Sequence, residues 1–497
     1  MAKLADWLAE AGHNVTFYQQ AIIDSVNKVG VTKANAYVRP RGNITVPEFS
    51  QLNFWTPNIE ANNQWLAHCG MLQSKACESQ LNDESLFQKI RSEQYDYAVV
   101  EYIDYCSYAI IEKAGIEKYG TASALMIDKQ ILEALGLALS LGVVPNWSDQ
   151  LSPLPTFIER ITALYRHYLN TYTQRKNLYG PTINVIQSLS NLTFDIKEKM
   201  AQSSYFFINA DEYLTHQQPI SSKILYVGGK NSKSMPVNSL NQDIQNIVDS
   251  AEEGVVLVSF GTVAKASEMP KQLSDALVDT FKSYPKINFI WKYEVEDTVG
   301  ANVTNLFKRP WVPQHDLLGN KKILAFITHG GLNSISETAE MGVPTVCMPV
   351  FGDQPLNCQA AQAHGISIMI DKADVTAEKL IKALDTVMHD QRIRQKAAEM
   401  SNLMNNKPIS TKERFVRHVE HAIRFNVHEA LDLPVRSQGF VRGYNLDFIA
   451  VYFVLLTVLM FMLYCVLKVV FRIVRAFVNI VMNDGSNNKV GLKQKAQ

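Results

Sequence analysis

The clearest pattern of apolar and polar positions lies near the end of the chain. From Phe448 to Leu467 it runs without a charge and almost without a polar residue, about the length that a bilayer core demands of a helix. Asp447 precedes this run and Lys468, Arg472 and Arg475 follow it. The excess of positive charge therefore assigns the tail, 468–497, to the cytosol and the rest of the chain to the lumenal or extracellular side. Further upstream, Ile323-Leu-Ala-Phe-Ile-Thr328 is a short apolar, β-branched run that reads as a buried strand. It leads directly into His329-Gly330-Gly331 and then into apolar positions at helical spacing. Glycine lets a backbone turn sharply and approach a ligand, and a helix N-terminus offers N–H groups and a positive dipole end to an anion. The predicted ligand of this strand, turn and helix is a phosphate.

Two doubly wound α/β units are expected. In the first, 1–228, Met1 to Gly12 reads as an amphipathic helix ending in glycine, followed by a strand at Asn14-Val-Thr-Phe-Tyr. Gln94 to Val100 reads as a strand that delivers Glu101 at its carboxyl end, where open α/β sheets bind ligands. Tyr105 to Ala114 reads as a helix closed by Gly115, Trp147 to Pro155 as a loop, and Phe157 to Lys176 as a long helix whose apolar stripe belongs to core or to an acceptor pocket. A doubly wound unit that opens on a helix lacks its first, normally central, strand, and no translocation signal is visible at Met1. The expectation is that Met1 is an internal methionine and that the natural product carries an upstream signal, strand and loop.

Ile224-Leu-Tyr-Val-Gly-Gly-Lys and the polar Asn231 to Asn241 segment mark the boundary to the second unit, 229–430. There Val255 to Phe260 reads as a buried strand running into Gly261-Thr262, followed by a helix to Lys282 and strands at Asn288 to Lys292 and Ser367 to Ile370. Amphipathic helices follow from Ala377 to Met404. Another, Lys412 to Phe425, is expected to cross back and brace the first unit before a linker reaches the membrane helix at 448–467.

Composition narrows the class. The 497 residues are 47% hydrophobic and 19% charged, enough for about two domains plus appendages. Equal numbers of basic and acidic residues, 48 each, give no electrostatic footprint for nucleic acid. Six cysteines, one of them Cys465 inside the predicted span, predict no disulfide framework. Sequons at Asn14, Asn43, Asn146, Asn191 and Asn302 fit lumenal exposure. Lys493 and Lys495 resemble the dilysine retrieval signal of type I endoplasmic-reticulum membrane proteins.

Several residues around the predicted phosphate turn suit a nucleotide sugar. Trp311 offers a flat face on which a base can stack. Asn333 and Ser334 stand at a helix start, and Glu337, one turn later on the same face, can accept hydrogen bonds from ribose hydroxyls. Asp353 and Gln354, beyond a Pro-bounded strand, can read sugar hydroxyls. Singly, each has a plain structural explanation, such as core for Trp311 or an N-cap for Asn333; the joint spacing is what is specific.

That spacing, Trp311-x-Pro-Gln314, His329-Gly-Gly-x-Asn333-Ser334-x-x-Glu337, Pro344 and Asp353-Gln354, resembles the UDP-glucuronosyltransferase family. Gly12-His13-Asn-Val-Thr, Val-Ser-Phe-Gly261-Thr262 and the membrane helix with its basic tail extend the likeness over essentially the whole chain. The resemblance implies a GT-B fold, two facing Rossmann-like domains with the acceptor held by the first and the donor by the second. It implies that Trp311 and Gln314 bind uracil and Glu337 binds ribose. Thr262, His329, Gly331, Asn333 and Ser334 would surround the diphosphate, while Asp353 and Gln354 hold the sugar.

The implied reaction is transfer of glucuronate or glucose from the UDP-sugar to a hydroxyl of a small lipophilic acceptor, with inversion. No cofactor or metal is implied, and homo- or hetero-oligomers are possible partners. The family's general base, a histidine in the loop after the first strand, has no counterpart here; Glu101 occupies the position of its acidic assistant, with Asp104 second. Two other expectations follow from the missing base: a catalytically silent donor-binding partner of other transferases, or a truncated product with exposed sheet edges.

Overall fold

The computed structural model of the chain describes residues 1–22, 30–42, 44, 54–55, 59–140, 142, 144–145, 155–190, 194–229 and 237–493. Every strand pair in it is parallel. In chain order the strands are β1 (Thr16–Gln20), β2 (Asn35–Arg39), β3 (Ala98–Glu101), β4 (Tyr119–Ser123), β5 (Phe206–Ile208), β6 (Ile224–Tyr226), β7 (Gly254–Ser259), β8 (Ile287–Lys292), β9 (Leu306–Arg309), β10 (Ile323–Thr328), β11 (Thr345–Cys347) and β12 (Ser367–Met369).

Six of them form one sheet in the order β9-β8-β7-β10-β11-β12. Each residue of β7 and β8 is buried, because crossover helices cover both faces; such strands read as unbroken apolar runs rather than as alternation. The chain leaves β7 toward β8 and β9, then returns to β7's other side with β10. That reversal between β7 and β10 is a topological switch point, where such sheets open a crevice at their carboxyl ends.

The other strands form a four-stranded sheet, β3-β4-β5-β6, and a separate pair, β1-β2. Among the described residues no strand lies between β1 and β3; a cavity of about 480 Å³ lined by both strands fills that position. Helix Thr411–Arg424 returns to this half of the chain as expected, where Phe415 meets Trp7 and Phe207 at ring distances of 6.2 and 4.7 Å. Lys407, just before it, puts its ammonium 2.7 Å from Asp211 and 2.6 Å from Glu212, with both Lys407 and Asp211 almost fully buried.

Two expectations change. Two disulfides are present, Cys77–Cys106 and Cys347–Cys358, with Cα atoms 5.5 and 5.8 Å apart. Cysteine counting cannot see them, since packing of helix Ile59–Leu81 on Tyr105–Ala114, and of Gln354–Ala363 beside β11, is what brings the thiols within bonding reach. Helix Phe157–Gln174 buries only Ala163 and His167, while Phe157, Ile158, Ile161, Tyr165, Tyr168 and Tyr172 are exposed, so its apolar stripe is surface and not core. A second compact unit, 433–497, holds helix Leu446–Lys493. Its segment Leu446–Met482 has a mean hydropathy of 2.6, long and apolar enough to cross a membrane. Lys468, Arg472 and Arg475 lie inside the same continuous helix. The sequons at Asn43, Asn146 and Asn191, and Lys495 of the dilysine pair, fall outside the described residues.

Two stability predictions follow. Lys407→Met leaves the Asp211 carboxyl buried without its cation and should cost about 3–5 kcal/mol, read from guanidinium unfolding. Replacing Cys77 and Cys106 by serine opens a 29-residue cross-link and should cost about 3–4 kcal/mol, with the loss absent when wild type and variant are compared under full reduction.

Candidate active site

The carboxyl ends of β7 and β10 meet at the switch point, and the segments leaving them build a cleft of about 550 Å³. Thr262, Trp311, Gln314, His329, Gly331, Asn333, Ser334 and Glu337 all line it. Glycines make the approach possible. A Cβ on Gly261, or on Gly331, would come within 2.7 Å of His329 Nε2, and Gly261 holds φ at +82°, a region other residues enter only at a cost. Gly330 also has a left-handed φ of +81°, and a Cβ there would strike the Cys358 sulfur.

Helix Leu332–Met341 begins at this turn. Its N-cap is Gly331, with no side chain bonded to the first-turn N–H groups and no acidic residue in that turn. Asn333 is thus a first-turn residue rather than the cap. An uncapped helix start facing a cleft offers N–H donors and positive dipole to an anion. Farther along the same face, Glu337 is 6% exposed and accepts a 2.7 Å hydrogen bond from Gln314 Nε2, which also lies 3.2 Å from Ser334 Oγ. Trp311 is 70% exposed, which decides against a core role and leaves its ring free as a platform at the cleft mouth.

Charge in the cleft is set by burial. The His329 imidazole is buried, which, with the nearby Lys292 ammonium, lowers its pKa to about 4; at neutral pH it is an uncharged group. Lys292, at the end of β8, donates to Gly261 O at 2.8 Å and to Glu294 at 3.1 Å and also lines the cleft. Sequence reasoning missed Lys292; its one signal was its place at the end of a buried strand beside the switch point.

Asp353 and Gln354 are not among the residues lining this cleft. Gln354 is buried and its side-chain oxygen accepts from the backbone N–H groups of Val350 and Phe351, at 2.8 and 2.9 Å. Asp353 accepts from Asn357 at 2.7 Å, and burial raises its pKa. Gln354 therefore holds the turn that presents Phe351 to the cleft wall, while Asp353 is bound to Asn357, whose amide also donates to Gly330 O at 3.0 Å.

Glu101, at the end of β3, comes from the opposite sheet. Its carboxylate accepts from Ala124 N at 3.2 Å; Asn209 Nδ2 lies 3.3 Å from Ala124 O and 3.4 Å from Asn333 Oδ1. A short polar chain thus links Glu101 to helix Leu332–Met341 through Asn209, a residue the sequence did not single out. Burial raises the Glu101 pKa to about 7, countered in part by the Ala124 N–H and the Met1 ammonium. Asp104 is occupied by Ser107, and His13 sits at the other end of the strands, 3.3 Å from Glu420.

A profile of the UDP-glucoronosyl and UDP-glucosyl transferase family matches residues 4–484. Similar relatives include the nematode Caenorhabditis elegans putative UDP-glucuronosyltransferase ugt-55, 26% identical over 91% of this chain and 88% of that protein. The human 2-hydroxyacylsphingosine 1-beta-galactosyltransferase is 29% identical over 81% of this chain and 73% of its own length. Among solved structures, Os79 of O. sativa in complex with UDP superposes with a TM-score of 0.56 at 18% identity, covering 84% of this chain and 97% of Os79. The two parallel α/β sheets are those of the GT-B fold, and the chain belongs to the UDP-glucoronosyl and UDP-glucosyl transferase family, as a UDP-sugar glycosyltransferase.

Proposed function

We propose that this enzyme transfers glucuronate or glucose from its UDP-sugar to the hydroxyl of a small lipophilic acceptor, with inversion at the anomeric carbon. The observation that carries the reading is the cleft at the β7–β10 switch, which brings together an exposed indole, a Gln314–Glu337 pair and an uncapped helix start, suited to base, ribose and diphosphate respectively. Uracil stacks on Trp311 with Gln314 at its edge, and ribose hydroxyls donate to Glu337. The diphosphate lies across the N–H groups at Gly331 to Ser334, with Thr262 and neutral His329 beside it. As the bond to the leaving oxygen breaks, charge builds on UDP, and fixed dipoles that need not reorganise stabilise it.

On the acceptor side Glu101 is the proton acceptor. A base is most effective with a pKa near the working pH, and the raised pKa of Glu101 meets that condition. Residues 1–228 take the acceptor and 229–430 the donor. Gln354 bears on the sugar through the Phe351 turn it supports, and Asp353 through Asn357, which also holds Gly330 O. The C-terminal helix anchors the enzyme, type I, in the endoplasmic-reticulum membrane, and two disulfides suit an oxidising lumen.

Isothermal titration with UDP tests the donor half. Trp311→Ala should lose about 1–3 kcal/mol, the magnitude of base stacking, and Glu337→Ala about 1.5–3 kcal/mol, that of a charged hydrogen bond. UDP affinity unchanged in both variants would overturn the reading. Turnover tests the acceptor half, with UDP-glucuronate and UDP-glucose against phenolic acceptors. Because only the ionised carboxylate accepts a proton and its pKa is raised, kcat should climb as pH rises through about 7 and then level. Glu101→Gln should lower kcat about 10²–10⁴-fold while leaving UDP binding intact. Donor binding with no transfer at any pH would point to a silent donor-binding partner instead.

A further inference from the structure

The apolar stripe of helix Phe157–Gln174 points outward. Leu164 and Leu169 are exposed along with the six residues named above, so eight of the 18 exposed large apolar side chains described in residues 1–432 stand on this one helix. At about 100° per residue the eight fall within roughly 140° of its circumference. Ala163 and His167, its buried residues, lie on the opposite side. That side fixes the helix: His167 Nε2 is 3.4 Å from Glu133, and Gln174 accepts from Gln130 Nε2 at 3.0 Å, both partners belonging to helix Lys129–Ala134. A surface helix ordinarily turns its apolar face to the core, and this one does the reverse.

Contiguous apolar surface of this kind marks a contact with a protein or a bilayer, and the residues around it choose between them. Tyr165, Tyr168 and Tyr172 each carry an apolar ring with a polar tip, the combination enriched where lipid meets water. Arg160 borders the stripe on one side and Arg166 on the other, and Arg175 and Lys176 follow at its carboxyl end, all four exposed. The Arg160 guanidinium lies 6.0 Å from the Phe157 ring; an arginine stem can cover apolar surface in this way while its head reaches phosphate. Glu159, the one acidic residue of 157–176, accepts the Thr156 N–H at 2.6 Å in the capping box of the helix. A second copy docked through the same face would set cationic borders against each other with no other carboxylate from this segment between them. Anionic headgroups meet them with opposite charge. With 18 residues and an arginine in the middle, the helix does not cross a membrane; it has the build of one that lies in the interface plane.

We propose that helix Phe157–Gln174 is a second membrane contact of this chain, lying in the headgroup region of an anionic bilayer. Ile161, Tyr165, Tyr168 and Tyr172 reach the acyl boundary, and the arginines hold lipid phosphates. The inference rests on the reading of the C-terminal helix, apolar and long enough to cross a membrane, as the anchor that keeps the chain at a bilayer. It adds a lipid contact to the half of the chain assigned to the acceptor.

Photocrosslinking of the full chain in lipid vesicles tests it. The photoreactive amino acid p-benzoylphenylalanine is placed singly at Tyr165, at Tyr168, at Val458 of the C-terminal helix, and at Val295 and Leu403, which are exposed elsewhere; adducts are identified by mass spectrometry. Tyr165 and Tyr168 should yield lipid adducts as Val458 does, and Val295 and Leu403 none. Adding phosphatidylserine to phosphatidylcholine vesicles should raise the yield at Tyr165 and Tyr168 and leave Val458 unchanged. Ile158→Glu combined with Ile161→Glu should lower the yield at Tyr168 about tenfold or more, through the loss of two apolar contacts, with unchanged UDP binding reporting an intact fold. Lipid adducts at Val458 without any at Tyr165 and Tyr168 overturn the inference, as do adducts from those two positions to a second protein chain. No lipid adduct at Val458 overturns the anchor reading, and the inference with it.

Discussion

A parallel strand inside an α/β domain makes two demands at once: hydrogen-bonding neighbours on both edges and apolar cover on both faces. Meeting them around β7 forces the chain to leave on one side and return on the other, and that reversal opens the crevice in which the donor cleft lies. Everything chemical in the second half is then a matter of what is attached at two strand ends. Gly261 follows β7 and His329-Gly330-Gly331 follows β10, and the tight turns place an uncapped helix start where a diphosphate can reach it.

The same demands explain the first half. Where β7 has both edges paired, β1 and β3 each have, among the described residues, one edge turned to a cavity lined by Leu4, Leu8, Ile110 and Phe415 together with polar groups such as Lys89, Glu93 and Asp104. Glu101 stands at the carboxyl mouth of that cavity and, through Ala124 and Asn209, within a few hydrogen bonds of Asn333. The carboxyl end of β3 and the start of the helix after β10 therefore lie within one hydrogen-bond chain, and Lys407 with Asp211 and Glu212 ties the two halves by a buried ionic contact.

Burial tunes the groups that the reaction would use. The same desolvation pushes His329 down, to an uncharged imidazole, and Glu101 up, to a carboxyl poised near neutrality. Lys292 donates to Gly261 O and to Glu294 and lines the same cleft as the uncharged His329 imidazole.

Much of this was legible in the residues. Ile323 to Thr328 as a buried strand, the glycine turn and the helix after it, the return of the 411–424 helix and the grouping of Trp311, Gln314, His329, Asn333, Ser334 and Glu337 all depend on local periodicity and turn chemistry, which a sequence carries directly. The exposure of Trp311 did not, because a lone tryptophan has the same composition in a core and at a cleft mouth. Nor did the disulfides, the surface stripe of the Phe157 helix, the partners of Gln354 or the place of Lys292 and Asn209. Each of these is a meeting of segments far apart in the chain, and spacing along a sequence does not encode which distant groups share a wall. The sequence by itself determined the strands, the turns and the donor-site residue types, since those follow from neighbours within a few positions. Only the tertiary structure decided which side chains face the cleft and which are spent on holding the backbone, because burial and edge pairing are properties of the assembled sheets.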